Sequence, residues 1–167
     1  IENLVNEFSD FARMPKPLLK NNNLCEVIKE NIMLLNKIDP KVKINFINHL
    51  SKDVYINFDY EQFNRLFFNL IKNSIESIQE KDQKLNKIDK NIDIEIRERR
   101  HYININILDT GVGFKNKKTK DLIKPYFTTK EKGTGLGLSI VDKIISDHNG
   151  SIKFLNLKNG AKIQIVI

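Results

Sequence analysis

Two amides and a carboxylate recur at helical spacing near the middle of this 167-residue chain. Asn69, Asn73 and Glu76 fall at positions i, i+4 and i+7, so a helix places all three on one face. An asparagine oxygen is a neutral ligand that suits Mg²⁺, a hard cation that otherwise keeps phosphate oxygens and water. Taken alone, the same pattern also fits a solvated helix face in a chain rich in asparagine.

A carboxylate followed by two glycines comes directly after a segment that alternates like a strand. Asp109 ends that segment, and Gly111 and Gly113 follow it. A carboxylate at a strand end can accept a hydrogen bond from an exocyclic amine such as that of adenine. Glycines let the backbone approach a flat ring because no Cβ is in the way. An ordinary turn after a strand is the alternative.

Two further segments carry groups suited to phosphate. Residues 125–130, PYFTTK, combine an aromatic anchor with two hydroxyls and an ammonium. Residues 133–137, GTGLG, open an apolar helix, whose unpaired backbone amides and dipole attract an anion such as a polyphosphate. The spacing matches neither the Gly-x4-Gly-Lys-Ser/Thr phosphate loop nor the dinucleotide fingerprint, because no strand immediately precedes it.

Hydrophobic periodicity predicts the elements that position these segments. Helices are predicted over residues 1–14, 24–36, 59–79 with Asp59 as the cap, and from the glycine loop to about His148. Strands are predicted over residues 42–46, 55–58, 91–99, 102–108, 151–157 and 161–167. Residues 80–90 are polar and predict an exposed connector. Helices on one side of a largely antiparallel sheet satisfy this order, which is an α+β two-layer sandwich.

Composition and charge are typical of a globular domain and exclude some classes. The net charge of +7 comes mainly from scattered lysines, and there is neither an arginine cluster nor an interleaved aromatic platform to favour nucleic-acid binding. Cys25 is the single cysteine, so an internal disulfide or a cysteine-based metal cluster is excluded. We expect Cys25 to be buried. Because the first residue is Ile1 rather than Met, we expect a piece of a longer protein.

Together the four segments resemble the nucleotide-binding boxes of the family that unites DNA gyrase, the Hsp90 chaperone, histidine kinases and the MutL repair protein. FTTKEKGTGLGLSIV is similar to the histidine kinases, particularly nitrogen-regulation sensors of the NtrB and NtrY type. FSDFARMPKP is similar to the end of the dimerisation hairpin in the same sensors. This resemblance covers nearly the whole chain. It implies a Bergerat-type fold, with residues 1–17 ending the hairpin and residues 18–167 forming the catalytic domain.

The resemblance implies roles for the residues of the first two segments. Asn73 would coordinate the Mg²⁺ ion that bridges the phosphates of ATP, and Asn69 would support the triphosphate. Asp109 would recognise the adenine amine, and Gly111 and Gly113 would shape that pocket.

The other two segments would form a lid and a phosphate loop. Residues 114–132 would be a short ATP lid that Phe127 anchors. Thr128, Thr129 and Lys130 would lie near the phosphates, with Lys130 taking part in catalysis. The phosphate loop would consist of Gly133, Thr134, Gly135, Leu136 and Gly137.

The residue at position 69 also separates reactions within the resembled family. The gyrase and Hsp90 branches carry a glutamate there that activates water, whereas Asn69 cannot take a proton. Hydrolysis should therefore be poor, and the phosphate should pass to another nucleophile by positioning and charge neutralisation. The acceptor histidine would lie upstream of Ile1, in a His-Glu-Ile-Lys-Asn-Pro-like box. None of His49, His101 and His148 has that context; His148 is expected at a helix C-terminus, where partial positive charge is favourable.

The expected function is that of the ATP-binding catalytic domain of a two-component sensor histidine kinase that uses ATP and Mg²⁺. The expected partners are the phosphoacceptor helix of the same protein, in cis or in trans within a homodimer, and a cognate response regulator, but no nucleic acid. The domain would be cytoplasmic and its parent an inner-membrane sensor. The alternative is a catalytically inactive nucleotide-binding scaffold of the same fold, against which the intact Asn73, Asp109 and glycine segments argue.

Overall fold

The computed structural model describes residues 14–85, 88–114, 118–128 and 133–167. The helix predicted over residues 1–14 therefore lies outside the described residues except for Met14. Thr129 and Lys130 lie outside them as well. None of the helices in the described part combines the length and the hydropathy needed to cross a bilayer.

The order of elements agrees with the predicted alternation of helices and strand pairs. In chain order they are β1 (Lys20–Asn23), α1 (Leu24–Ile38), β2 (Lys43–Asn48), β3 (Tyr55–Phe58), α2 (Tyr60–Leu85), β4 (Asn91–Arg99), β5 (Tyr102–Asp109), α3 (Thr119–Leu122), α4 (Gly137–Asp147), β6 (Ser151–Leu157) and β7 (Gly160–Val166). Strand β1 and the short helix α3 are additions that the sequence patterns did not predict.

The strands form one mixed sheet and a separate two-stranded ribbon. The sheet has five strands in the order β2-β4-β5-β7-β6, and the ribbon pairs β1 with β3. The β2–β4 pair is parallel, whereas the pairs β4–β5, β5–β7 and β6–β7 are antiparallel. The predicted α+β class with a mostly antiparallel sheet is confirmed.

One face of the sheet packs against the helices to form the core. In β4 and β5 the isoleucines alternate with polar residues, and Ile94, Ile105 and Ile107 are fully buried. They belong to one hydrophobic cluster with the buried stripes of α1, α2 and α4, including Leu66 and Leu70 of α2. Period-two burial in the strands and helical burial in α2 explain why both types of element could be recognised in the sequence.

The prediction of an exposed connector over residues 80–90 is wrong for its first half. Helix α2 continues to Leu85, and the residues of this extension are strong helix formers. Lys84 pairs with Glu80 one turn earlier at 2.7 Å. The ammonium of Lys81 donates to the backbone carbonyl of Thr110 at 2.8 Å. The extension is polar because most of it projects beyond the core, not because it is a loop.

Asp59 joins three parts of the molecule at the start of α2. Its Oδ1 atom accepts from the N–H of Gln62 at 3.0 Å, which is the predicted helix cap. Its Oδ2 atom accepts from the N–H of Leu18 at 2.7 Å. Its own N–H donates to Nε2 of His148 at 3.0 Å.

His148 caps the C-terminus of α4, where it was expected, and has a structural role there. Its Nδ1 atom lies 2.7 Å from the carbonyl of Ile144, while Nε2 accepts from the N–H of Asp59. Through these two contacts the ring joins the C-terminus of α4 to the start of α2.

Candidate functional site

The carboxylate of Asp109 is buried where β5 ends. The residue is 5% exposed, its Oδ1 accepts from the N–H of Gly111 at 2.9 Å, and its Oδ2 accepts from the hydroxyl of Ser74 at 3.1 Å. Burial raises the pKa of Asp109, and its hydrogen bonds to Gly111 and Ser74 hold the rise back. A carboxylate held from two sides has a defined orientation, as is needed to accept a hydrogen bond from an amine of a ligand.

The glycine turn after Asp109 is wedged between α2 and β6. The N–H of Val112 donates to the hydroxyl of Ser77 at 3.0 Å, and a Cβ at Gly111 would collide with that same hydroxyl. Gly113 has a φ of +73°, and a Cβ there would lie 2.8 Å from Oδ1 of Asn156. Both glycines are thus required by close contacts, and the turn adopts a path that larger residues could not follow.

The two asparagines of α2 face the start of α4. A Cβ added at Gly137 would lie 3.4 Å from Oδ1 of Asn69 and 3.9 Å from Nδ2 of Asn73. The Nδ2 atom of Asn69 donates to the carbonyl of Arg65 at 2.9 Å, so its oxygen is the atom turned toward Gly137. The fold therefore brings together the first and fourth candidate segments, which are separated by about sixty residues in the chain.

The N-terminus of α4 has the features of an anion site. The helix begins at Gly137, its cap residue Leu136 provides no side-chain hydrogen bond, and no acidic residue occurs in the first turn. The hydroxyl of Thr134 accepts from the N–H of Leu136 at 3.4 Å. The free amides of a helix start and the positive end of its dipole, with no acidic residue in the first turn, favour a negative ligand here.

The third segment packs against the glycine loop. Gly135 has a φ of +72°, and a Cβ there would lie 2.5 Å from the carbonyl carbon of Tyr126 and 2.8 Å from the nitrogen of Phe127. The ring of Phe127 is half-buried against the core, while Thr128 and Gly133 are exposed. The lid predicted over residues 114–132 is described only in part, and that part includes the short helix α3.

Three residues on α2 were missed by the sequence analysis although they build the site. Ser74, Ser77 and Lys81 hold Asp109, Val112 and Thr110 respectively. Ser77 and Lys81 continue the face of Asn73 at i+4 and i+8, whereas Ser74 lies within the buried stripe of the helix. The signal available in the sequence was a serine at a helical position between the apolar residues Ile71 and Ile78, because a hydroxyl on a buried face needs a partner.

The side chains at the candidate site could provide only a small part of the coordination shell of a metal ion. Among the described residues no group of three His, Cys, Asp or Glu side chains could form a cage for a cation. Asn73 supplies an amide instead, which suits Mg²⁺ only if phosphate oxygens and water complete its shell. A groove of about 1130 Å³ beside the first half of α2 contains none of the candidate site residues.

Comparisons with known proteins identify a family for the chain. Residues 58–167 match the family described as histidine kinase-, DNA gyrase B-, and HSP90-like ATPase. Nitrogen regulation protein NtrY of Azorhizobium caulinodans is 32% identical over 160 residues, which are 96% of this chain and 20% of that protein. Sporulation kinase A of Bacillus subtilis is 33% identical over 157 residues, which are 91% of this chain and 24% of that protein. The chain thus spans a fifth to a quarter of the length of these relatives.

Solved structures of similar fold include histidine kinase ThkA. Its nucleotide-free catalytic domain gives a TM-score of 0.75 at 28% identity and covers 89% of this chain and 94% of that one. ThkA in complex with response regulator protein TrrA gives a TM-score of 0.79 at 24% identity, over 99% of this chain and 46% of that one, which is a likeness of fold.

Proposed function

The chain belongs to the family of histidine kinase-, DNA gyrase B- and HSP90-like ATPases, and on that basis we propose that it is the ATP-binding catalytic domain of a sensor histidine kinase. One observation carries the proposal. Helix α2 presents Asn69 and Asn73 to the start of α4 and, through the adjacent Ser74, holds the buried carboxylate of Asp109. A single helix therefore spans a phosphate end and an adenine end.

The adenine end of the proposed site consists of Asp109 and the glycine turn. Asp109 accepts a hydrogen bond from the adenine amine, while Gly111 and Gly113 leave room for the ring. The two existing hydrogen bonds to the carboxylate support this role, because they fix its orientation before a ligand arrives.

The phosphate end consists of α2, the lid and the glycine loop. Asn69 and Asn73 face the loop formed by Gly133, Thr134, Gly135, Leu136 and Gly137, whose amides bind the phosphates. Mg²⁺ neutralises phosphate charge when bound, with Asn73 as its protein ligand. Phe127 anchors the lid, and Thr128, Thr129 and Lys130 contact the phosphates.

The proposed reaction is transfer of the γ-phosphoryl group to a histidine. A bond forms between an imidazole nitrogen and the γ-phosphorus while the bond to the bridging oxygen breaks, and ADP leaves. Asn69 cannot deprotonate water, which disfavours hydrolysis. Asn69 orients the triphosphate, and the charge of Lys130 stabilises the transferring group.

The longer protein is part of the same proposal. The acceptor histidine lies upstream of Ile1 on the hairpin that residues 1–17 end, and it is phosphorylated in cis or in trans within a homodimer. The parent is an inner-membrane sensor with this domain in the cytoplasm. A cognate response regulator receives the phosphate from that histidine. NtrY supports nitrogen regulation as the output.

Incubation with radiolabelled ATP tests the proposal. The fragment should bind Mg-ATP but neither label itself nor hydrolyse ATP above a trace rate. Mixed with the upstream hairpin that carries the histidine, it should place acid-labile phosphate on that hairpin, and Lys130→Ala should slow transfer more than it weakens binding. Stable label on the fragment alone, or turnover like that of gyrase, would overturn the assignment, and absence of ATP binding would do so too.

A further inference from the structure

The glycine turn beyond Asp109 is held by two side chains that project from α2. The hydroxyl of Ser77 accepts from the N–H of Val112 at 3.0 Å, and the ammonium of Lys81 donates to the carbonyl of Thr110 at 2.8 Å. Ser77 and Lys81 are one helical turn apart on the same face. They therefore hold successive backbone groups of the turn.

The opposite side of Thr110 is fixed as well. Its hydroxyl donates to the carbonyl of Asp89 at 2.6 Å and accepts from the N–H of Asn91 at 3.1 Å. Its N–H donates to the carbonyl of Asn91 at 3.2 Å. Thr110 is therefore hydrogen-bonded on one side by the end of α2 and on the other by residues 89–91.

The hydrogen bonds to this turn matter because glycine has more backbone conformational freedom than any other residue. Gly111 and Gly113 gain conformational freedom from the lack of a Cβ, and a turn that contains both would sample many shapes without external contacts. The contact from Lys81 also orders a long side chain, which costs rotamer entropy. This entropic cost is offset where the ordered lysine fixes the shape of the turn.

We propose that Ser77 and Lys81 are positioning residues for the adenine base, since they hold residues 110–112 in the shape that lets Asp109 meet the base amine. The inference rests on the proposed function. The two residues do not touch the nucleotide; they act through the backbone of the turn. Their effect should therefore be selective for the part of the ligand that distinguishes adenine from other purines.

The test compares ATP with inosine triphosphate, which carries a carbonyl oxygen where adenine carries the amine. Titration calorimetry with Mg²⁺ gives both affinities for the parent and for Lys81→Met. We expect the affinity for ATP to fall about three- to tenfold, the effect of one hydrogen bond, and the affinity for inosine triphosphate to fall less. Ser77→Ala should act in the same direction, and Lys81→Arg, which keeps a donor, should recover much of the selectivity.

Lys84→Met is the matched control. Lys84 lies three residues further along the same helix, is largely exposed, and pairs with Glu80 at 2.7 Å. Its replacement should leave both affinities unchanged. Thermal unfolding of every variant separates loss of fold from loss of positioning, and the half-exposed Lys81 site should tolerate methionine.

The possible results distinguish a failure of the proposed function from a failure of the positioning role alone. A parent chain that binds neither nucleotide, or that binds both equally, contradicts the adenine role of Asp109 and with it the proposed function. A parent that prefers ATP while Lys81→Met keeps the same preference contradicts the positioning role alone. An equal fall for both nucleotides in Lys81→Met also contradicts it.

Discussion

The hydroxyl of Ser74 donates to Oδ2 of Asp109 at 3.1 Å, so helix α2 holds the buried carboxylate directly. Because Asn73 is the next residue before Ser74 and faces Gly137, neighbouring positions of one helix serve two ends of the proposed site. The two ends of the proposed site are therefore linked through one helix.

Replacing Asp109 by asparagine should remove most of the affinity for ATP. The charge-assisted bond to the adenine amine is lost, and an affinity loss of more than about tenfold is expected. The fold should persist, because an asparagine oxygen can still accept from the N–H of Gly111. Calorimetric titration with Mg-ATP measures the loss, and an affinity equal to that of the parent would contradict the assignment.

The same variant should be more stable than the parent at neutral pH. Burial raises the pKa of Asp109 above its ordinary value of 3.8, so the folded protein holds that proton more tightly than the unfolded chain. The contribution of Asp109 to stability therefore falls as pH rises from 3.8 through the raised pKa. Urea unfolding across this range should show the gain of Asp109→Asn shrinking as the pH is lowered. A variant less stable than the parent at pH 7 would contradict the expectation.

Removal of the Asn73 amide should weaken the binding of Mg²⁺ and leave the recognition of the adenine base unchanged. Asn73→Ala should lose the part of ATP binding that depends on Mg²⁺, whereas Asn73→Asp should retain the metal. Titrations with Mg²⁺ and with a chelator measure the difference. Asn57→Ala, at an exposed position of β3, is the control, and identical titrations of Asn73→Ala and the parent would show that the role is wrong.

Gly135→Ala should destabilise the fold and loosen the segment around Phe127. The φ of +72° is costly for alanine by about 1–3 kcal/mol, and the new Cβ would press on the backbone of Tyr126. Gly137→Ala is the control, because that residue lies in α4, where alanine is the better helix former. Denaturant unfolding should separate the two variants, and equal stabilities would contradict the packing described for the loop.

His148→Ala should cost about 1–3 kcal/mol of unfolding free energy, since the N–H of Asp59 loses its acceptor. Its ring also packs edge-on against that of Phe63 at 4.8 Å between centroids, a contact that alanine removes. His49→Ala, at an exposed position after β2, should change stability by less than about 0.5 kcal/mol. Equal effects of the two substitutions would show that the hydrogen bond of Asp59 is not a stabilising one.

Sequence patterns predicted the helices and strands in which buried apolar side chains recur at regular spacing. They missed elements that have no buried apolar side chain. Strand β1 reads Lys-Asn-Asn-Asn and has no apolar residue, because it pairs with β3 through its backbone. Strands β4 and β5 were predicted from their alternating isoleucines, whereas the positive φ of Arg100 and His101 in the turn between them has no signal of the Asn-Gly type in the sequence.

The candidate site could be predicted as segments but not as a network of contacts. Asn69, Asn73 and Asp109 belong to motifs that can be read in the chain. The roles of Ser77 and Lys81 depend on how far α2 extends and on its rotation relative to a turn about thirty residues later. That relation is set by packing against the sheet, which no local pattern contains.

The place of β7 in the sheet has a consequence for how the domain is made. β7 lies between β5 and β6, so the edge of β5 has no partner until the final strand has left the ribosome. The backbone of Ala161 in that strand also contacts Asp109, so the surroundings of this carboxylate stay incomplete until then. A nascent chain or a product of premature termination before Gly160 would expose an unpaired hydrophobic edge and become a substrate for chaperones or proteases. A chain that ends before Gly160 should therefore lack both the β5–β7 pairing and the contact of β7 with Asp109.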